Sequence, residues 1–177
     1  HTNASTGMLE MLYGGSKAAP FEPDTNQPEE WFQIARYWLE ESYSMHGVEQ
    51  NELVESRFRY LPLGQVNTTD KVTVRFEQVV GDVPVEDGAV NVLFDTRGRL
   101  LSIHTTASPA VETPSGNATT GAGFARLVAA RAFQNEFGVQ PTSSETLRLV
   151  HAWVNDGETR RWTLAWRPRG WTTTTPS

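Results

Sequence analysis

Between Lys71 and His104 apolar and polar residues alternate in three runs set apart by turn residues. In the first run Val72, Val74, Phe76, Gln78 and Val80 share one face, while Lys71, Thr73, Arg75 and Glu77 take the other. That period of two predicts a half-buried strand and not a helix. Gly81-Asp82 supplies the positive φ of a tight reversal. Pro84 has no N–H to give to a ladder, which places Val83-Pro84-Val85 at a sheet edge or in a connector. Asp87-Gly88 predicts a second turn, into residues 89–94, and Asp95-Thr96-Arg97-Gly98 a third, into residues 99–104. The stretch reads as an antiparallel meander.

The period changes on both sides of it. Pro28-Glu29-Glu30 has the marks of a helix start, with Pro at the first helical position and acids at the positive end of the dipole. A helix is predicted over 29–45, with Trp31, Ile34, Ala35, Trp38, Leu39, Ser42 and Met45 forming its buried stripe. His46 would then be a cation near the negative helix end, and Gly47 a left-handed cap. Residues 1–28 are rich in small and polar side chains and read as a poorly structured lead-in, where Met8, Leu9, Met11, Leu12 and Tyr13 dock as a short turn. Residues 53–61 are a further strand candidate.

Residues 107–120 are rich in Thr, Pro, Ser and Gly and read as a linker. A second helix is predicted over 122–137, with Ala125, Val128, Ala129, Ala132, Phe133 and Phe137 on one face and Gly138 at its end. A hairpin of 147–154 with 160–166 follows; a two-residue turn at Asp156-Gly157 would pair Leu147 with Trp166, Leu149 with Leu164 and His151 with Trp162. The expected fold is α+β, with two small modules, each a helix packed on an antiparallel sheet, over 29–106 and 121–169. A Thr/Pro tail, 170–177, closes the chain.

Composition narrows the possible functions. The 177 residues carry a net charge of −6, which suits neither a nucleic acid nor an anionic membrane surface. There is no Cys, hence no disulfide frame, thiol nucleophile or thiolate metal site. No run reaches the ~18 apolar residues of a membrane span. The chain opens on His1 rather than Met, so a preceding segment such as a signal sequence is expected.

No catalytic motif emerges. His-Glu-x-x-His and Gly-x-Ser-x-Gly are both missing, and His1, His46, His104 and His151 are far apart in sequence. Gly121-Ala122-Gly123 has Arg126 where a dinucleotide loop has its third glycine, and it follows a Thr-rich linker instead of a strand. We therefore expect no catalytic residue, no metal ligand and no cofactor. The face of His104 depends on whether the third turn has two loop residues or three.

The segment VRFEQVVGDVPVEDGAVNVLFDTRGRLLSI resembles the fungalysin/thermolysin propeptide motif of secreted zinc metallopeptidases. Arg75, Phe76, Gln78, Gly81, Pro84, Val85 and Gly98 occupy the matching positions; Thr73 and Glu86 stand where that motif has His and an aromatic residue. The helix and hairpin after the linker resemble a PepSY domain in order and spacing. The resemblance implies a non-catalytic pro-region, secreted, periplasmic or at the cell surface. It would act on a metallopeptidase catalytic domain, in cis or in trans, as intramolecular chaperone and inhibitor. The alternative is a free-standing secreted or cell-surface binding or inhibitor module with no protease in cis. Within the motif Gln78 is expected to satisfy backbone groups near Gly81-Asp82, and Arg75 to pair with an acid or, alternatively, to touch the partner. Trp153, Trp162 and Trp166 are read first as core residues and second as partner contacts.

Overall fold

The alternation at 71–80 is a strand in the computed structural model, which describes residue 2 and residues 8–109, 111, 120–139, 147–155 and 160–168. Within 147–155 and 160–168 it describes the side chains of 149–152 and 162–167. The chain divides into two compact units, His1–Val111 and Glu112–Ser177. In the first, β1 (Met11–Lys17) precedes helix α1 (Pro28–Glu41) and a single turn, α2 (Tyr43–His46). Strands β2 (Leu53–Leu61), β3 (Lys71–Val80), β4 (Val83–Asp95) and β5 (Leu100–Thr105) follow. The sheet runs in the order β1-β5-β4-β3-β2, every pair antiparallel. Helices and strands together make the protein α+β.

Val72, Val74, Phe76, Gln78 and Val80 are the buried residues of β3, as the alternation requires. Opposite them Phe94, Val92 and Val90 of β4 continue the same face. On this face lies α1, whose Trp31 ring centre stands 5.7 Å from Phe94 and 6.4 Å from Phe58. Phe32 meets Phe76 edge to face at 5.4 Å. The Trp31 indole N–H donates to the Asp24 carbonyl at 2.8 Å, so the largest buried side chain carries no unmet donor.

The predicted helix breaks at Ser42. There the Ser42 hydroxyl donates to the Trp38 carbonyl at 2.7 Å, a local bond that competes with helix propagation. The break shifts the phase of the last turn, so Met45 turns outward with 43% exposure and His46 turns inward with 4%. His46 is accordingly not a cation at a helix end. Its Nδ1 accepts the Val48 N–H at 3.0 Å, which leaves Nε2 to carry the proton toward the Leu39 carbonyl at 3.0 Å. Burial pushes its pKa below the ordinary histidine value, with the Leu39 bond opposing.

Three more expectations are corrected. The lead-in contains β1, whose Leu12 pairs with Ile103 and packs against the core. Its glycines permit this: a Cβ on Gly14 would stand 2.5 Å from the Leu100 side chain. Pro84 lies inside β4, opposite Val79, and not in a connector. The two-residue turn makes Val80–Val83 the hydrogen-bonded pair, so the next pair points the proline nitrogen away from β3 and no ladder bond is lost. Asp87-Gly88 is a bulge instead of a turn: residues 85–88 stand opposite Gln78 alone before pairing resumes at Glu77–Ala89, with Asp87 at φ 56°. Gly81 and Asp82 both take positive φ, 56° and 64°, as a tight hairpin turn demands.

The third turn has three loop residues, since the Asp95 N–H donates to the Arg99 carbonyl at 3.1 Å. Asp95 closes it by accepting the N–H groups of Arg97 and Arg99, which together with the Arg99 side chain hold its carboxyl below the usual range against the opposing effect of burial. The resulting register sets His104 opposite Asn91, on the face away from α1.

In the second unit α3 (Ala122–Phe137) is followed by the hairpin of β6 (Leu147–Asn155) and β7 (Arg160–Pro168). No residue of α3 is fully buried, and Val128 and Phe137, assigned by their spacing to the inner face, are exposed. The hairpin pairs Asn155 with Arg160, so Leu149 faces Trp166, His151 faces Leu164 and Trp153 faces Trp162. Each partner is displaced by two residues from the predicted pairing. A shift of two keeps the alternation of paired positions.

Two outcomes follow from the helix break. Trp38→Ala should lower the unfolding free energy by roughly 3–5 kcal/mol in urea titrations, and Met45→Ala should change it by about 0.5 kcal/mol or less. A loss under about 1 kcal/mol at Trp38 would place the stripe in solvent. The unfolded imidazole of His46 titrates near 6.5 and the folded one lower. As pH falls below about 6.5 the unfolded chain binds a proton that the native state refuses, so stability drops. Melting temperatures from pH 8 downward should show this fall, and His46→Gln should flatten it.

Candidate functional site

Each matched position of β3 and β4 faces either the core or the outer sheet surface, and the strand period decides which. Phe76 is fully buried, with the Arg36 guanidinium 5.1 Å above its ring. Val85 is buried, Pro84 half-buried, and Gly81 holds the turn. None of these four presents a reactive group.

Gln78 is 0% exposed, and its amide ties together segments distant in sequence. Its Nε2 donates to the Ser108 carbonyl at 2.7 Å and to the Glu52 carboxylate at 2.7 Å. Its Oε1 accepts the Ser108 N–H at 2.9 Å. These partners lie after β5 and before β2, so Gln78 does not serve the Gly81-Asp82 turn as the sequence suggested. It joins the segment before β2 and the segment after β5 to β3. A fully buried amide with both its functions engaged is a positional lock, because any partner left alone there loses its solvation without compensation.

Arg75 points the other way. Its Nη1 donates to the Asn91 side-chain oxygen across β4 at 3.3 Å, so the expected acid partner is replaced by an amide. Around it Arg57, Arg59, Thr73, Glu77 and Asn91 line a shallow recess on the outer sheet face. The two further arginines reach this face through a bulge in β2. Glu55 pairs with Phe76 on the inner face, and Arg57 then pairs with Arg75 on the outer one, leaving Ser56 as the extra residue. In an unbulged ladder Ser56 would oppose Arg75, and Arg57 would oppose Val74 over the core. The Ser56 hydroxyl donates to Glu77 Oε1 at 3.1 Å, which engages the one carboxylate of the recess. Sequence reasoning overlooked Arg57 and Arg59. The available signal was that Leu53 and Phe58, both inward, are an odd number of positions apart.

The three tryptophans belong to the second unit. Trp162 and Trp166 are half-buried in β7, and Trp166 Nε1 donates to the Thr120 carbonyl at 2.7 Å. The Trp153 side chain lies outside the described residues. Among the described residues no three His, Asp or Glu converge as metal ligands do, and no helix is long and apolar enough to cross a membrane.

Residues 65–107 match the family model of the fungalysin/thermolysin propeptide motif. The match covers 43 of 177 residues, from the loop before β3 to just past β5. It describes a propeptide motif, which is non-catalytic. Among curated proteins none matches the chain.

Gln78→Leu keeps the volume and removes the amide. With its partners Glu52 and Ser108 half-buried, the substitution should cost roughly 1–3 kcal/mol in all, read as a lower urea midpoint. A change under about 0.5 kcal/mol would show that Ser108 and Glu52 find other partners and that the lock is dispensable.

Proposed function

We propose that this chain is a non-catalytic pro-region of a secreted zinc metallopeptidase, which it assists in folding and holds inactive. The observation that carries the reading is the coincidence of the propeptide motif, 65–107, with the meander β3-β4-β5 and its Gln78 lock. The matched residues build a rigid, two-faced sheet whose inner side is filled by α1 and whose outer side is polar and presented. A surface of that kind suits a protein that acts by covering another. Binding the folded peptidase and not its unfolded chain would stabilise it by mass action, which is how one element can both inhibit and assist folding.

In this reading the chain has two modules, the propeptide-like one over 29–106 and a PepSY-like helix and hairpin over 121–169. It works outside the cytoplasm, and Arg75, Trp153, Trp162 and Trp166 are the candidate partner contacts.

Added in trans to zinc metallopeptidases secreted by the same source, the intact chain should inhibit at least one of them reversibly and without being cleaved first. Gly81→Val should weaken that inhibition in parallel with the melting temperature, since a β-branched residue at positive φ strains the turn. Lack of inhibition of every such enzyme would replace this reading with the free-standing module.

A further inference from the structure

We infer that the outer face of the sheet at Arg57, Arg59 and Arg75 docks an extended acidic polypeptide segment of the partner, laid along the edge strand β2. The inference deepens the pro-region reading and rests on it for the partner's identity alone.

The chain as a whole is acidic, at −6, yet this recess holds three guanidinium groups and one carboxylate. Arg57 stands directly across from Arg75, and like charges so placed repel. Glu77 is engaged by Ser56, and Arg75 by the neutral Asn91 amide. Among the described residues Arg57 and Arg59 have neither a hydrogen-bonded side-chain partner nor an ion pair, although Arg36 and Arg99 each have one. The fold thus maintains an uncompensated positive cluster.

Protection of the sheet edge is the simpler account of charges on β2, because charged side chains deter strand pairing. It covers Arg57 and Arg59 but not Arg75, which is half-buried on the interior strand β3 and aimed at the same recess. A binding surface accounts for all three. Among the described residues of its unit β2 pairs with β3 alone, so its other side can accept a strand. Arg57 and Arg59 are two residues apart, about 6.6–6.8 Å along a strand. Carboxylates at alternate positions of an added extended segment repeat at that same interval, and guanidinium forks bind carboxylates bidentately. A nucleic acid would offer anions too, but the negative charge of the rest of the chain repels a polyanion longer than the recess.

The test uses the intact chain and three fluorescent probes: an eight-residue peptide alternating Glu and Val, its Lys-Val counterpart, and an eight-nucleotide oligothymidine. Fluorescence anisotropy at about 50 mM salt should show binding of the Glu-Val peptide, weakening as salt shortens the screening length. The pair Arg57→Gln and Arg59→Gln should reduce its affinity at least about tenfold at an unchanged melting temperature, while Arg97→Gln, in the exposed loop before β5, should leave it alone. No binding of the Glu-Val peptide, binding indifferent to the double substitution, or equal or tighter binding of the Lys-Val peptide or the oligonucleotide would each overturn the inference. The inhibition assay separates the two proposals. Peptide binding with no metallopeptidase inhibited leaves this face standing and removes the pro-region reading. Inhibition that survives the double substitution sinks the docking role and spares the pro-region.

Discussion

The fold of the first unit depends on covering one side of β3. A strand that alternates Val, Val, Phe, Gln and Val with Lys, Thr, Arg and Glu must hide the first set, and α1 does so. Phe76 is the centre of that contact, with Phe32 at its edge and the Arg36 guanidinium over its ring. Arg36 also bonds the Gln50 and Leu53 carbonyls, so the segment entering β2 is tied to the same helix. Its ion pair with Glu55 is partly exposed and adds little to what burial supplies.

Once the inner face is closed, a polar group placed on it must be fully satisfied or not be there at all. Gln78 occupies such a position, and the bulge of residues 85–88 leaves it without an opposing β4 residue in the ladder. Its amide bonds then fasten the segments before β2 and after β5 to β3. Gln78 and Arg75 lie on the two sides of β3, the one in the lock and the other in the outer arginine recess.

Much of this architecture is legible along the chain. Alternation at 71–80 and the three-four spacing at Trp31, Ile34, Ala35, Trp38 and Leu39 name a strand and a helix with their buried faces, because those periods are properties of backbone geometry. Helix α3 begins and ends where its pattern says, and Gly138 takes the left-handed cap at φ 73°. The second hairpin's pairing moves by two residues, so the same alternation of paired positions is kept.

The sequence by itself determined the α+β character, the limits of α3, β2 and β3, which side of β3 is buried, and the chain's lack of catalytic motifs. Only the tertiary structure decided that the lead-in is β1, that Pro84 sits inside β4, that His46 is buried and neutral, and that Ser56 turns two arginines to the face of Arg75. The physical reason is common to all four. Each depends on a partner distant in the chain: Leu100 against Gly14, the hairpin register beneath Pro84, the phase of α2 after Ser42, and the pairing of β2 with β3. Local periodicity reports how a segment presents its side chains, and pairing and packing decide what they meet.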